Sequence, residues 1–130
     1  MSYTAIERHC LSLPGTSVHT PWGESRVFKV GGKMFAMITM ENGRGTGVWF
    51  KAGEQSFRIL TASDGIRPCP YLARAHWVAM DGLKALKPAE LKAYLTRAHA
   101  QVAANLPKNT RASLGIAATT SSGMEWDFGQ

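Results

Sequence analysis

Apolar positions recur along this chain with periods that change from helical to extended and back. Near the N-terminus Ile6, Cys10 and Leu13 fall at i, i+4 and i+7, with Thr4 and Glu7 at capping-box spacing. A short amphipathic helix is predicted there, stopped by Pro14-Gly15. Arg26-Val27-Phe28-Lys29-Val30 alternates polar and apolar, Gly31-Gly32 supplies a two-residue turn, and Lys33 to Met40 continues as an apolar run, which together read as a β-hairpin. A second turn, Glu41-Asn42-Gly43-Arg44-Gly45, leads into a strand from Thr46 to Lys51 carried by Val48, Trp49 and Phe50. From Gly53 to Ser63 the pattern is helical, with Phe57 and Leu60 on one face and Gly65 placed for a left-handed cap. Arg67-Pro68-Cys69-Pro70 is rigid and non-helical, and Tyr71 to Asp81 reads as a loop feeding a strand over His76 to Met80. The last helix opens at Pro88, buries Leu91, Leu95, Ala98, Val102 and Leu106 as one stripe, and ends at Leu106-Pro107.

Beyond Arg111 the pattern fails. Ser, Thr, Ala and Gly lead to an acidic-aromatic end, Glu125-Trp126-Asp127-Phe128, with nothing to build a core. The expected organisation is one folded domain over 1–111 and a mobile tail over 112–130. Composition agrees with one soluble domain: 130 residues, 45% hydrophobic and 18% charged. No apolar run approaches the roughly 20 residues that span a bilayer. An acid and a base within the first eight residues argue against a secretory leader. The expected location is the cytoplasm, with no membrane partner.

Charge sharpens this picture. The net charge is +6, but fifteen cations and only seven acids precede residue 112, so the body carries +8 and the remainder −2. Such a body favours polyanionic partners, although solubility alone also accounts for many small basic domains. Cys10 and Cys69 stand far apart with no CxxC, and read as buried, reduced thiols.

Several blocks together resemble a known family. Leu13-Pro14-Gly15-Thr16, Pro21-Trp22-Gly23, the run from Val27 to Ala36 (VFKVGGKMFA), Lys51, the segment Arg67-Pro68, Tyr71 and Arg74-Ala75-His76-Trp77, and the closing Leu106-Pro107-Lys108 are similar to the MmcQ/YjbR family. The resemblance runs from about residue 3 to 111. It implies an α+β fold of two layers, an antiparallel sheet with helices packed on it, similar to secretion chaperones. It also implies a DNA-binding-like "double wing" arrangement of hairpins, with no enzymatic reaction assigned.

Candidate chemistry is that of binding. Lys29 and Lys33 flank the Gly31-Gly32 turn, Arg44 sits in the next turn, and Arg67 and Arg74 form a second basic group; long cations on turns meet phosphates, and equally serve as solvated surface. Tyr71, His76 and Trp77 interleave with that second group as stacking or structural residues, Trp77 reading more as core. DNA is thus the expected partner, bound with little sequence preference; association with a protein or with itself is the alternative. Enzyme signatures are thin. Gly43-Arg44-Gly45-Thr46-Gly47 precedes a strand where a phosphate loop opens a helix, and the four histidines lack HExxH or CxxC companions. No GxSxG and no acid pair stands out, so neither catalysis, cofactor nor metal is expected.

Overall fold

Two tight turns organise the sheet, and both are built from residues that tolerate positive φ. Gly31 and Gly32 (φ 60° and 79°) join β2 (Arg26–Val30) to β3 (Lys33–Glu41), and Asn42 and Gly43 (φ 52° and 74°) join β3 to β4 (Arg44–Lys51). Positive φ at both central residues matches the twist of the flanking strands, which is why Gly-Gly and Asn-Gly recur in such hairpins. The Glu24 carboxylate clamps the second turn, accepting the N–H groups of Asn42 and Gly43 at 2.8 Å each. β1 (Thr16–His19) lies outside β2. After β4 the chain forms α2 (Glu54–Thr61), runs along the far edge as β5 (Ile66–Pro68), and returns as β6 (Trp77–Asp81) between β5 and β4. The strand order is β1-β2-β3-β4-β6-β5, and every pairing is antiparallel. This computed structural model describes residues 1–116.

One face of the sheet carries the main core. Phe28, Val30, Ile38, Phe50, Val78 and Met80, all essentially buried, meet Ile6 and Cys10 of α1 (Tyr3–Ser12) and Leu91, Leu95 and Ala98 of α3 (Pro88–Ala104). α3 begins as its sequence suggests: Pro88 occupies the first turn, and the Glu90 carboxylate accepts the Lys87 N–H at 2.9 Å. Arg26 belongs to this side, its guanidinium donating to Glu7 of α1 at 2.8 Å. The protein therefore has the expected α+β architecture, an open antiparallel sheet with its helices packed against it.

Several local features differ from the sequence reading, and one is β5, which pairs along β6 where the rigid Arg67-Pro68 segment was not expected to be a strand. β1 was not expected; its four residues offer too short a pattern to register, and it exists by pairing with β2 from Thr16↔Val30 to His19↔Val27. The cap of α1 is Ser2, extended at φ −111°, whose Oγ accepts the Ala5 N–H at 3.1 Å, while Thr4 is already inside the helix. His76 precedes its strand, in left-handed conformation (φ 61°) at the end of a 3-10 turn over Ala73–Ala75. Finally, the chain re-enters a helix after Pro107, α4 (Lys108–Ser113), and Leu114 and Ile116 pack on the core. The packed body thus continues past Arg111. The rest of the tail expected over 112–130, including Glu125 to Phe128, lies outside the described residues.

Candidate functional site

Strand alternation leaves a second face opposite the helices, and register defines it. His19, Val27, Met37, Trp49, Ala79 and Arg67 pair in turn, forming one row across all six strands. Beside that row stand Lys29 opposite Met34, and Lys51 opposite Trp77. Among the described residues no helix packs on this face as α1 and α3 do on the other. Instead Trp77, Cys69 and Ala79 form a small buried cluster of their own, flanked by Met34, Trp49 and Leu72.

Two loops rise at the rims of this face. The β1–β2 loop presents Trp22, 62% exposed, and the β5–β6 connection presents Tyr71, fully exposed. Between them lies a groove of about 490 Å³ whose walls include Trp22, Met34, Met37, Trp49, Tyr71 and Trp77. A second hollow of about 390 Å³ shares Met34 and Trp77 with the groove and adds Lys33, Lys51, Asn105 and Leu106. The site is thus aromatic and apolar along its length and cationic at the Gly31-Gly32 end. Tyr71 holds a left-handed backbone (φ 65°), as does His76 five residues later. A non-glycine residue in that region costs about 1–2 kcal/mol. The connection is held in shape from both sides: Trp77 N–H donates to the Leu72 carbonyl at 3.2 Å, Ala52 N–H to the His76 carbonyl at 2.9 Å, and Lys51 Nζ to the Ala75 carbonyl at 3.0 Å.

A sequence model of the YjbR family matches residues 11–101. The chain belongs to the YjbR family. Among curated proteins no sequence matches it. The solved structure of DR2400 from Deinococcus radiodurans, described as a DUF419 domain, is similar with a TM-score of 0.77 at 21% identity, covering 96% of each chain. A protein from Pseudomonas syringae is similar at a TM-score of 0.62 and 16% identity, covering 78% of this chain and 98% of that one. These two likenesses are of fold. The family match spans all six strands of this YjbR protein and every residue named above as lining the groove.

Within this YjbR chain the sequence-derived candidates do not form one surface. Lys29, half-buried, and Lys33, exposed, flank the Gly31-Gly32 turn at the cationic end. Arg44 pairs with Glu41 at the other end of β3, eight residues from Lys33 and therefore about 27 Å away along an extended strand. Arg67 lies on the edge strand β5 with its guanidinium engaged by Asp81 through two contacts of 3.2 Å, which hold its pKa above the ordinary value. Arg74 is exposed in the 3-10 turn, one residue before the carbonyl that Lys51 bonds. Tyr71 is on the rim and Trp77 is a buried wall, while the His76 ring stands edge-on to Phe57 at 5.5 Å.

Lys51, Trp22 and Trp49 join the site although sequence reasoning gave them no role in it. The signal was present in β3: Met34, Met37, Phe35 and Ile38 make the strand apolar on both faces, whereas helices cover only one. Cys10 and Cys69 are buried, and burial pushes each thiol up to about 12, the Glu7 carboxylate adding to this at Cys10 and Arg67 partly offsetting it at Cys69, so the thiol form is favoured in both. Among the described residues no group of three His, Cys, Asp or Glu side chains is placed to hold a metal ion.

Proposed function

We propose that this protein binds nucleic acid through the open face of its sheet, without a catalytic step. One observation carries the reading: Lys29 and Lys51 stand on the face that bears the exposed aromatic groove, at the end where Lys33, paired with Val30 and so turned toward the helix side, lines the adjoining hollow. The three ion pairs among the described residues use other cations, Arg26, Arg58 and Arg67, so this end keeps its positive charge for a partner. The backbone separation of Lys29 and Lys51, two strand spacings or about 10 Å, suits contact with more than one phosphate. Among the described residues the open face presents no helix that would read a duplex groove, so binding by this route is weakly sequence-dependent. Arg44 and the already paired Arg67 are secondary in this reading.

The test is a fluorescence-anisotropy titration of labelled nucleic acid at several salt concentrations. Binding with log K falling linearly in log salt, at a slope of about −0.7 to −0.9 per phosphate contacted, supports the reading. No binding at low salt refutes it. A second reading, association with a protein segment or a second copy, is favoured by the methionine and tryptophan walls of the groove, which suit apolar side chains. Salt-insensitive dimerisation in light scattering would select it.

A further inference from the structure

We infer that the aromatic groove takes unpaired bases, so that the preferred partner is a single strand rather than a duplex. This rests on the nucleic-acid reading and names the form of nucleic acid that its site selects. Lysines alone would accept phosphates of either form, because phosphates lie outside in both. The groove distinguishes them. Trp77 is buried and Trp49 half-buried between the exposed rims of Trp22 and Tyr71, and a base paired and stacked inside a duplex cannot lay its face on any of them. An unpaired base can.

Position supports the match. On β4 Trp49 lies two residues from Lys51, about 7 Å along the strand and on the same face, and across β2 and β3 Lys29 stands opposite Met34. A strand whose backbone passes over Lys29 and Lys51 therefore directs its bases into the space between Trp22 and Tyr71. Stacking on aromatic faces is sequence-tolerant, since every base has a π-face, and positive charge beside aromatic platforms is the combination that single-strand binding uses. Apolar walls do not oppose this ligand, because the groove meets base faces and leaves the phosphates to the lysines and to water. Trp22 and Tyr71 are the two most exposed large apolar side chains of the described residues, and both flank this one groove. Neither packs in a core, so both are replaceable without loss of the fold.

The experiment titrates the full chain with three labelled probes of equal length: oligothymidine, the same strand with abasic sites throughout, and its duplex with oligoadenine. The expected result is that oligothymidine binds at least about fivefold tighter than either other probe and quenches tryptophan fluorescence. Trp22→Ala and Tyr71→Ala should each remove about fivefold or more of affinity for oligothymidine while leaving the abasic strand unchanged. Trp22→Phe should retain most of it, since a ring remains. Salt-dependent binding that is equal for all three probes, or tightest for the duplex, overturns this inference and leaves the phosphate reading standing. Failure of every probe to bind at low salt overturns both, and turns attention to a protein segment as occupant of the groove.

Discussion

The Gly31-Gly32 turn holds Lys29 and Lys33 in place, and its two glycines offer a matched pair of perturbations. Both have positive φ, 60° and 79°, so alanine at either position meets a similar backbone penalty of about 1–2 kcal/mol. Only one of them is crowded. A Cβ on Gly32 would meet nothing within 4 Å, whereas a Cβ on Gly31 would lie 2.6 Å from Leu106 Cδ1 and 2.9 Å from Cδ2. Leu106 is buried and belongs to the core, so its displacement adds an overpacking cost of roughly 1–3 kcal/mol. Gly32→Ala is therefore expected to cost about 1–2 kcal/mol, and Gly31→Ala about 2–5 kcal/mol. At roughly 4 °C per kcal/mol for a domain of this size, the two melting temperatures should differ by about 4–12 °C. Urea unfolding of the two variants measures the difference. Adding Leu106→Ala should then cost less in the Gly31→Ala background than in the native one, because the clash and the leucine disappear together. Equal losses for the two glycine variants, or strict additivity with Leu106→Ala, would refute the claim that the turn is wedged against α3's C-terminal end.

Three further outcomes are expected. His99, buried in α3, donates Nε2–H to the Pro14 carbonyl at 2.7 Å and stands edge-on to Phe35; burial lowers its pKa, and the bond to Pro14 partly opposes that. Its contribution is present in full above the unfolded value near 6.5 and is lost as pH falls through the lower folded value, by at most about 1.4 kcal/mol per pH unit. His99→Gln should flatten the acid limb of a stability-versus-pH curve, and an unchanged limb would count against this assignment. Cys10 and Cys69 should resist a thiol reagent in the native protein and react together on denaturation; rapid native labelling of either would contradict their burial. For nucleic-acid binding, Lys33→Glu should weaken affinity and lower the salt slope by about one, while Arg44→Glu, at the far end of β3, should leave both near the native values; equal effects would dissolve the cationic end as a distinct site.

Local chemistry explains which parts of the fold were legible. Gly31-Gly32 formed the hairpin its sequence placed there, whereas the turn expected over Glu41 to Gly45 tightened to Asn42-Gly43, the two residues that hold positive φ, with Arg44 and Gly45 already paired in β4. The stripe of α3 was readable for the same kind of reason, a long period with Pro88 at its start. β1 and α4 were not. Four residues holding one aliphatic side chain, Val18, cannot display an alternation, and KNTRAS displays no apolar face at all. Each is held by tertiary contact instead: β1 by its ladder to β2, and the α4 region by Leu114 lying against Gly15, where a Cβ would come within 3.0 Å.

The site was legible by residue type and illegible by assembly. Lys29 and Lys33 are neighbours of one turn, so the sequence puts them together; Lys51 reaches them only through two strand pairings, and Trp22 and Tyr71 come from loops at opposite rims. Arg44 and Arg67 looked equivalent to those lysines as turn and loop cations, yet the length of β3 separates the first and Asp81 occupies the second. What the sequence did contain is an excess. A sheet covered by helices on one side needs apolar residues only on that side, but Val27, Met37, Trp49 and Ala79 form a continuous apolar row on the other. Part of that row is buried by Trp77 and the loops, which gives it a structural role. The structural role stops short of the rims, where Trp22 and Tyr71 remain open to solvent and Tyr71 is kept there in a left-handed conformation. Solvent-exposed rings contribute little to folding, and the strained backbone beneath one of them opposes it by about 1–2 kcal/mol. A contact made by those rings with a bound molecule would account for both features, which is why the rim, rather than the buried wall, is where substitutions should separate binding from stability.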